Sequence, residues 1–159
     1  MPVKIYYDTV ATGTSATTLT FFAHNEADDG ETVTNLATDN QLPEPVEIRK
    51  IELIPAGDIA VSDAIKLTEN AVIKVIVGTN EVIKFPAALA LTSAGLEFMP
   101  DAGSTGTNTY TRLSSTLDGF ELEEPIVVDA NTKINVKLVL GSAFGTDTNL
   151  TMCLHCRTR

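Results

Sequence analysis

Apolar and polar residues alternate with a period of two through most of this chain, and sustained helical periodicity is nearly absent. The clearest stretch is 131–140, where Ile134, Val136, Leu138 and Leu140 fall on one side while Lys133, Asn135 and Lys137 fall on the other, which predicts a half-buried strand. A second alternation puts Leu150, Met152 and Leu154 on one face. The β-branched runs 71–77 and 81–85, joined by Gly78-Thr79-Asn80, predict a hairpin, with Lys74 and Lys84 as outward charges that protect the ribbon from aggregation. In 46–54, Val46 and Ile48 share a face, the pattern slips at Arg49-Lys50, and it resumes as Ile51 and Leu53. A one-residue slip exchanges the two faces, so a β-bulge is expected there.

The remaining elements are less regular. An apolar run at 19–23 predicts a core strand, 33–36 a short extended piece, and 98 the end of another strand. Phe120 and Leu122 alternate with Glu121 and Glu123, and the run continues past Pro125, which donates no hydrogen bond and so predicts an edge strand or one broken there. Residues 59–67 fit either a strand or a helical turn beginning at Ser62. Residues 102–108 read as an exposed Gly, Ser and Thr loop. About eight strands with turn chemistry between them predict an all-β fold: an eight-stranded antiparallel jelly-roll sandwich in a single domain, 18–159, preceded by an N-terminal arm or loop, 1–17. An immunoglobulin-like sandwich is the alternative, but its Cys-Trp-Cys signature is missing in a chain without Trp.

Composition adds exclusions. The chain has 159 residues with 43% hydrophobic side chains, enough for a self-sufficient core of one domain. No apolar stretch approaches the roughly 20 residues needed to span a bilayer as a helix. Eleven Lys and Arg stand against 21 Asp and Glu, a net charge of −10, which repels phosphate backbones, so no direct nucleic-acid partner is expected. No secretory signal is visible at the N-terminus, so synthesis in a cytoplasm is expected.

Candidate chemistry is sparse. His24 and His155 are isolated, and no nucleophile elbow, P-loop, His-Glu-x-x-His or dinucleotide fingerprint occurs; a non-catalytic protein with no cofactor is expected. Cys153 and Cys156 have the spacing of half a zinc site or a redox pair. There is no second ligand pair, and on a regular strand the two thiols point to opposite faces, so only a metal shared between subunits would fit. The acidic loop Asn25, Glu26, Asp28, Asp29 and Glu31 offers oxygen ligands for calcium but lacks the EF-hand spacing, and it reads as a solvated turn. Glu121, Glu123 and Glu124 form a second acidic cluster, explained largely by a solvated strand face. Tyr6, Tyr7 and Tyr110 could line a sugar or partner surface, although tyrosine in a β-rich chain is usually half-buried structure.

The segment 19–54 carries a resemblance. Leu19-Thr20-Phe21-Phe22, an acidic Gly-containing loop, Val33-Thr34-Asn35-Leu36 and Gln41-Leu42-Pro43 leading into Val46-Glu47-Ile48 and Ile51-Glu52-Leu53 resemble the N-terminal part of jelly-roll capsid proteins of tailless icosahedral bacteriophages. Those proteins often have Gly before Gln-Leu-Pro where this chain has Asn40, a residue that also tolerates the left-handed conformation. The resemblance covers about a quarter of the chain. It implies a viral structural protein in a virion capsid, made in a host cytoplasm, whose homo-oligomeric capsomers join other capsid proteins in an icosahedral shell, often over an internal viral membrane. The expected contact elements are the arm 1–17, the loop 101–109 and the tail 155–159. A non-catalytic carbohydrate-binding or adhesion sandwich is the alternative function.

Overall fold

The structure, a computed structural model, describes residues 3–92 and 119–159. Among them, eight strands form two four-stranded antiparallel sheets. The first holds β1 (Val3–Ala11), β3 (Val46–Pro55), β6 (Phe120–Val128) and β8 (Asn149–Thr158) in the order β1-β8-β3-β6. The second holds β2 (Thr18–Phe21), β4 (Ala71–Val77), β5 (Asn80–Pro86) and β7 (Ile134–Leu140) in the order β2-β7-β4-β5. The chain crosses from one sheet to the other at every connection except the β4–β5 hairpin, which is the order of a jelly roll.

The alternations explain the packing. Ile134, Val136, Leu138 and Leu140 are buried while the residues between them are half-buried, and Leu150, Met152, Leu154 and Cys156 do the same from the opposing sheet. With Ile48, Ile51, Leu53, Ile73, Val75, Phe21 and Phe22 they form one apolar core. The slip in β3 is a register shift between Ile48 and Lys50 against both neighbouring strands, which keeps Ile48 and Ile51 both facing inward.

The two open edges of the sandwich are closed differently. At one edge, where β1 faces β2, the buried Asp8 accepts the backbone N–H of Phe22. At the other, where β6 faces β5, the rings of Phe85 and Phe120 stack with centroids 4.4 Å apart. Pro125 lies on the edge strand β6, where a residue without a donor is tolerated, and the β3–β6 pairing is interrupted between Glu121 and Ile126, opposite the β3 bulge.

Several expectations change. Residues 3–11 are not an arm: β1 pairs along its whole length with β8. Its alternation is hidden because one inward position is a carboxylate, Asp8, and a loop-like Thr, Gly and Ser composition is confined to 12–17. Residues 155–158 are not a tail but the last part of β8, held between β1 and β3. The segment 33–36 makes one bridge, Asp8 to Thr34, rather than a strand, and the acidic loop contains a one-turn helix, α1 (Glu26–Asp29), capped by Asn25. The ambiguous 59–67 becomes helix α2 (Val61–Glu69), whose buried Ala64 and Leu67 cover one end of the core. The expected strand end at 98, the loop 102–108, the contact loop 101–109 and Tyr110 lie outside the described residues.

The turn before Gln41-Leu42-Pro43 is built as the residue type allows. Asn40 has φ +58°, its N–H donates to Phe22 O at 2.8 Å, and its carbonyl accepts from Ile134 N at 2.7 Å.

Candidate functional site

Among the described residues each sequence-predicted candidate has a definite place, and most are spent on structure. His24 is exposed on the loop after β2, with Nδ1 3.1 Å from Asp29 Oδ2. His155 is on the outer face of the first sheet, on the far side of β8 from the core. Its Nε2 lies 3.2 Å from Glu52 Oε1, within ion-pair distance but without hydrogen-bond geometry, and Lys50 Nζ reaches the same oxygen at 3.0 Å. The two histidines therefore belong to different surfaces.

Cys153 and Cys156 do point to opposite faces, as three residues along a strand must. Cys156 is buried in the core, where desolvation pushes its thiol up to about 12, and its Sγ lies 3.7 Å from Leu154 O. Cys153 is half-buried beside Glu52; desolvation first, and that carboxylate second, push its thiol up to about 11. Both are free thiols rather than a disulfide. Among the described residues no three His, Cys, Asp or Glu side chains are grouped to hold a metal ion.

The acidic loop is organised by its own hydrogen bonds. Asn25 Oδ1 accepts from Asp28 N at 2.9 Å, and its amide donates to Asp28 and Asp39, both at 2.8 Å. Tyr6 is buried, and its hydroxyl donates to Glu44 at 3.2 Å; burial and that carboxylate raise the phenol far above its ordinary value. The Glu44 carboxylate is held below its usual range chiefly by Lys4, with which it is paired. Tyr7 Oη donates to the Glu31 carbonyl at 2.6 Å. Both tyrosine hydroxyls are thus spent on hydrogen bonds within the chain.

Two features remain. A groove of about 650 Å³ runs along the β5/β6 edge, floored by Ile83, Phe120, Leu122 and Ile126 and rimmed by Val82, Val127, Glu121, Glu123 and Glu124. The second acidic cluster of the sequence, Glu121, Glu123 and Glu124, is thus the border of an apolar depression, not simply a solvated face. The other feature is the outer face of the second sheet, where the pairing register gathers Lys74, Lys84 and Lys137. The sequence marks these lysines only as separate outward charges, because two of them lie on strands about fifty residues or more from the third and only register aligns them.

Two buried carboxylates carry no warning in the sequence. Asp63, on α2, accepts from Gly145 N at 2.9 Å, Thr146 N at 3.1 Å and Lys66 Nζ at 3.1 Å. It ties the helix to the loop after β7 and is fully used. Asp8 has one oxygen satisfied by Phe22 and the other without a partner.

Comparison with protein-family models, with curated proteins and with solved structures finds no match to this chain. Its reading rests on fold and surface alone.

Proposed function

We propose that this chain is a non-catalytic structural subunit: a jelly-roll capsid protein that packs beside copies of itself, with other capsid proteins, into a bacteriophage shell. The observation that carries the reading is the strand order β1-β8-β3-β6 against β2-β7-β4-β5, an arrangement found in viral capsid domains. Lectin and cupin domains share that architecture, so the order supports the reading together with how the polar side chains are used. Asp8, Asp63, Tyr6 and Cys156 are committed to the interior and its edges, while charge is gathered on β6 and on the outer face of the second sheet. Side chains distributed in this way hold a rigid block and leave its sides for contacts between copies.

The test is the molar mass of the native protein by size-exclusion chromatography with light scattering, followed by electron microscopy of any large species. A discrete oligomer or a closed particle is the expected result. A strict monomer of 17.0 kDa at every concentration and salt overturns it. A monomer that binds a glycan in the β5/β6 groove would establish the carbohydrate-binding reading in its place.

A further inference from the structure

The outer face of the second sheet carries a charge arrangement that packing does not require. Lys74 on β4 stands directly opposite Lys84 on β5 and directly opposite Lys137 on β7, and Thr20 on β2 continues the row. Like charges directly opposite one another destabilise a sheet. Only Lys74 has a counter-charge, Glu81, at a long 3.8 Å; Lys84 and Lys137 have no ion-pair partner among the described residues. The adjacent row is apolar, with Val72 opposite both Pro86 and Val139. In a chain of net charge −10, this face inverts the prevailing sign beside an apolar strip.

The strand β6 has the complementary character. Glu121, Glu123 and Glu124 are exposed, Val127 is 48% exposed, and no cation lies within Phe120–Val128. None of the three carboxylates has an ion-pair partner among the described residues. Two β6 edges brought together would oppose carboxylates, so this edge does not suit pairing with itself.

We propose that β6 of one copy docks across the Lys84–Lys74–Lys137 row of the next. Its carboxylates would meet the lysines, and Val127 with the groove rim would meet the strip of Val72, Val139 and Pro86. This rests on the reading of the chain as an assembly subunit and deepens it: the contact is edge to face and heterologous, so it propagates from copy to copy and closes into a ring where the rotation permits.

The experiment compares the full chain with two triple variants, Lys74→Gln/Lys84→Gln/Lys137→Gln and Glu121→Gln/Glu123→Gln/Glu124→Gln, by sedimentation velocity over a range of concentration and salt. All six side chains lie off the core, and circular dichroism with urea unfolding checks that each variant is folded. The wild-type protein is expected to associate less as salt rises. Each variant alone is expected to associate roughly tenfold or more weakly. An equimolar mixture of the two should form one-to-one complexes that do not grow, because each variant keeps one half of the contact. Association at the wild-type level in both variants would overturn this interface and leave the assembly reading standing. A wild-type protein that never associates removes the assembly reading and the interface with it. If anionic-lipid vesicles retain the wild type but not the lysine variant, and no self-association occurs, the row belongs to phosphate headgroups and the interface is overturned.

Discussion

The Asp8 carboxylate accepts the backbone N–H of Phe22 at 2.7 Å, joining an edge strand of one sheet to the end of an edge strand of the other. Phe22 has φ +65°, and its ring is fully buried, so the bond also holds a left-handed turn that brings the ring into the core. Asp8 is itself inaccessible to solvent, and its Oδ1 has no partner. Burial raises its pKa, opposed in part by the Phe22 N–H and then by nearby His24, while Asp29 adds a small push upward.

That balance sets a pH dependence. A folded-state pKa above the unfolded value means that the folded protein binds the proton more tightly, so the Asp8 contribution to stability is fully present below the ordinary carboxylate pKa and is lost as pH rises through the raised value. Asp8→Asn keeps an acceptor for Phe22 N–H and removes the charge. Urea unfolding of the variant should lack the wild-type loss of stability across that window, and the advantage of the variant should be larger at pH 7 than at pH 4. Asp8→Ala instead strands the Phe22 N–H and is expected to cost about 1–3 kcal/mol at pH 4, and less at pH 7, where the wild type has itself lost the Asp8 contribution. An Asn variant whose pH profile parallels the wild type would refute the assignment.

Asp63 is the stronger structural pin. Its loss leaves Gly145 N–H and Thr146 N–H without their acceptor and Lys66 without its carboxylate, although Lys66 also donates to Ala143 O at 2.8 Å. Asp63→Ala should destabilise by roughly 3 kcal/mol in urea unfolding, because a buried group with several charge-assisted bonds is being removed. An effect below about 0.5 kcal/mol, the level of an ordinary surface change, would contradict the role given to it.

Gly141 and Asn70 are a steric pair. A Cβ on Gly141 would lie 1.8 Å from Asn70 Nδ2 and 2.2 Å from its Cγ, while Gly141 N–H donates to Asn70 O at 2.8 Å. Gly141→Ala therefore has to swing the exposed Asn70 side chain aside, at a cost of about 1 kcal/mol or less. Adding Asn70→Ala should return that loss, so a double-mutant cycle is expected to show coupling; additive effects would disprove the clash.

The two thiols should be slow to react. With Cys153 at about 11 and Cys156 at about 12, thiolate is scarce at pH 8, and alkylation of native protein should run roughly a hundredfold or more slower than that of a free cysteine. In denaturant both should react at the ordinary rate. Rapid labelling of Cys153 in the native protein would show that its environment is more open than the first sheet makes it.

How much of this was written in the residues depends on the range of the interaction. The strands 134–140 and 149–158, the 71–86 hairpin and the bulge at Arg49 follow from side chains a few positions apart, because a strand exposes one face to apolar neighbours and a slip of one residue exchanges the faces. Pro125 alone predicts that β6 is an edge strand or one broken there, and β6 does lie at the edge of its sheet. The opposite faces of Cys153 and Cys156 follow from their spacing. By contrast, β1 was obscured by a buried carboxylate whose partner, Phe22 N–H, is fourteen residues away, and Asp63 by acceptor bonds to residues more than eighty positions on. The lysine row and the rim of the β6 groove exist only once β4, β5 and β7 have found their register and the sheets have closed. Local alternation determines which residues face inward; which outward side chains become neighbours is decided by the pairing of distant strands, and that is where this protein keeps its surface chemistry.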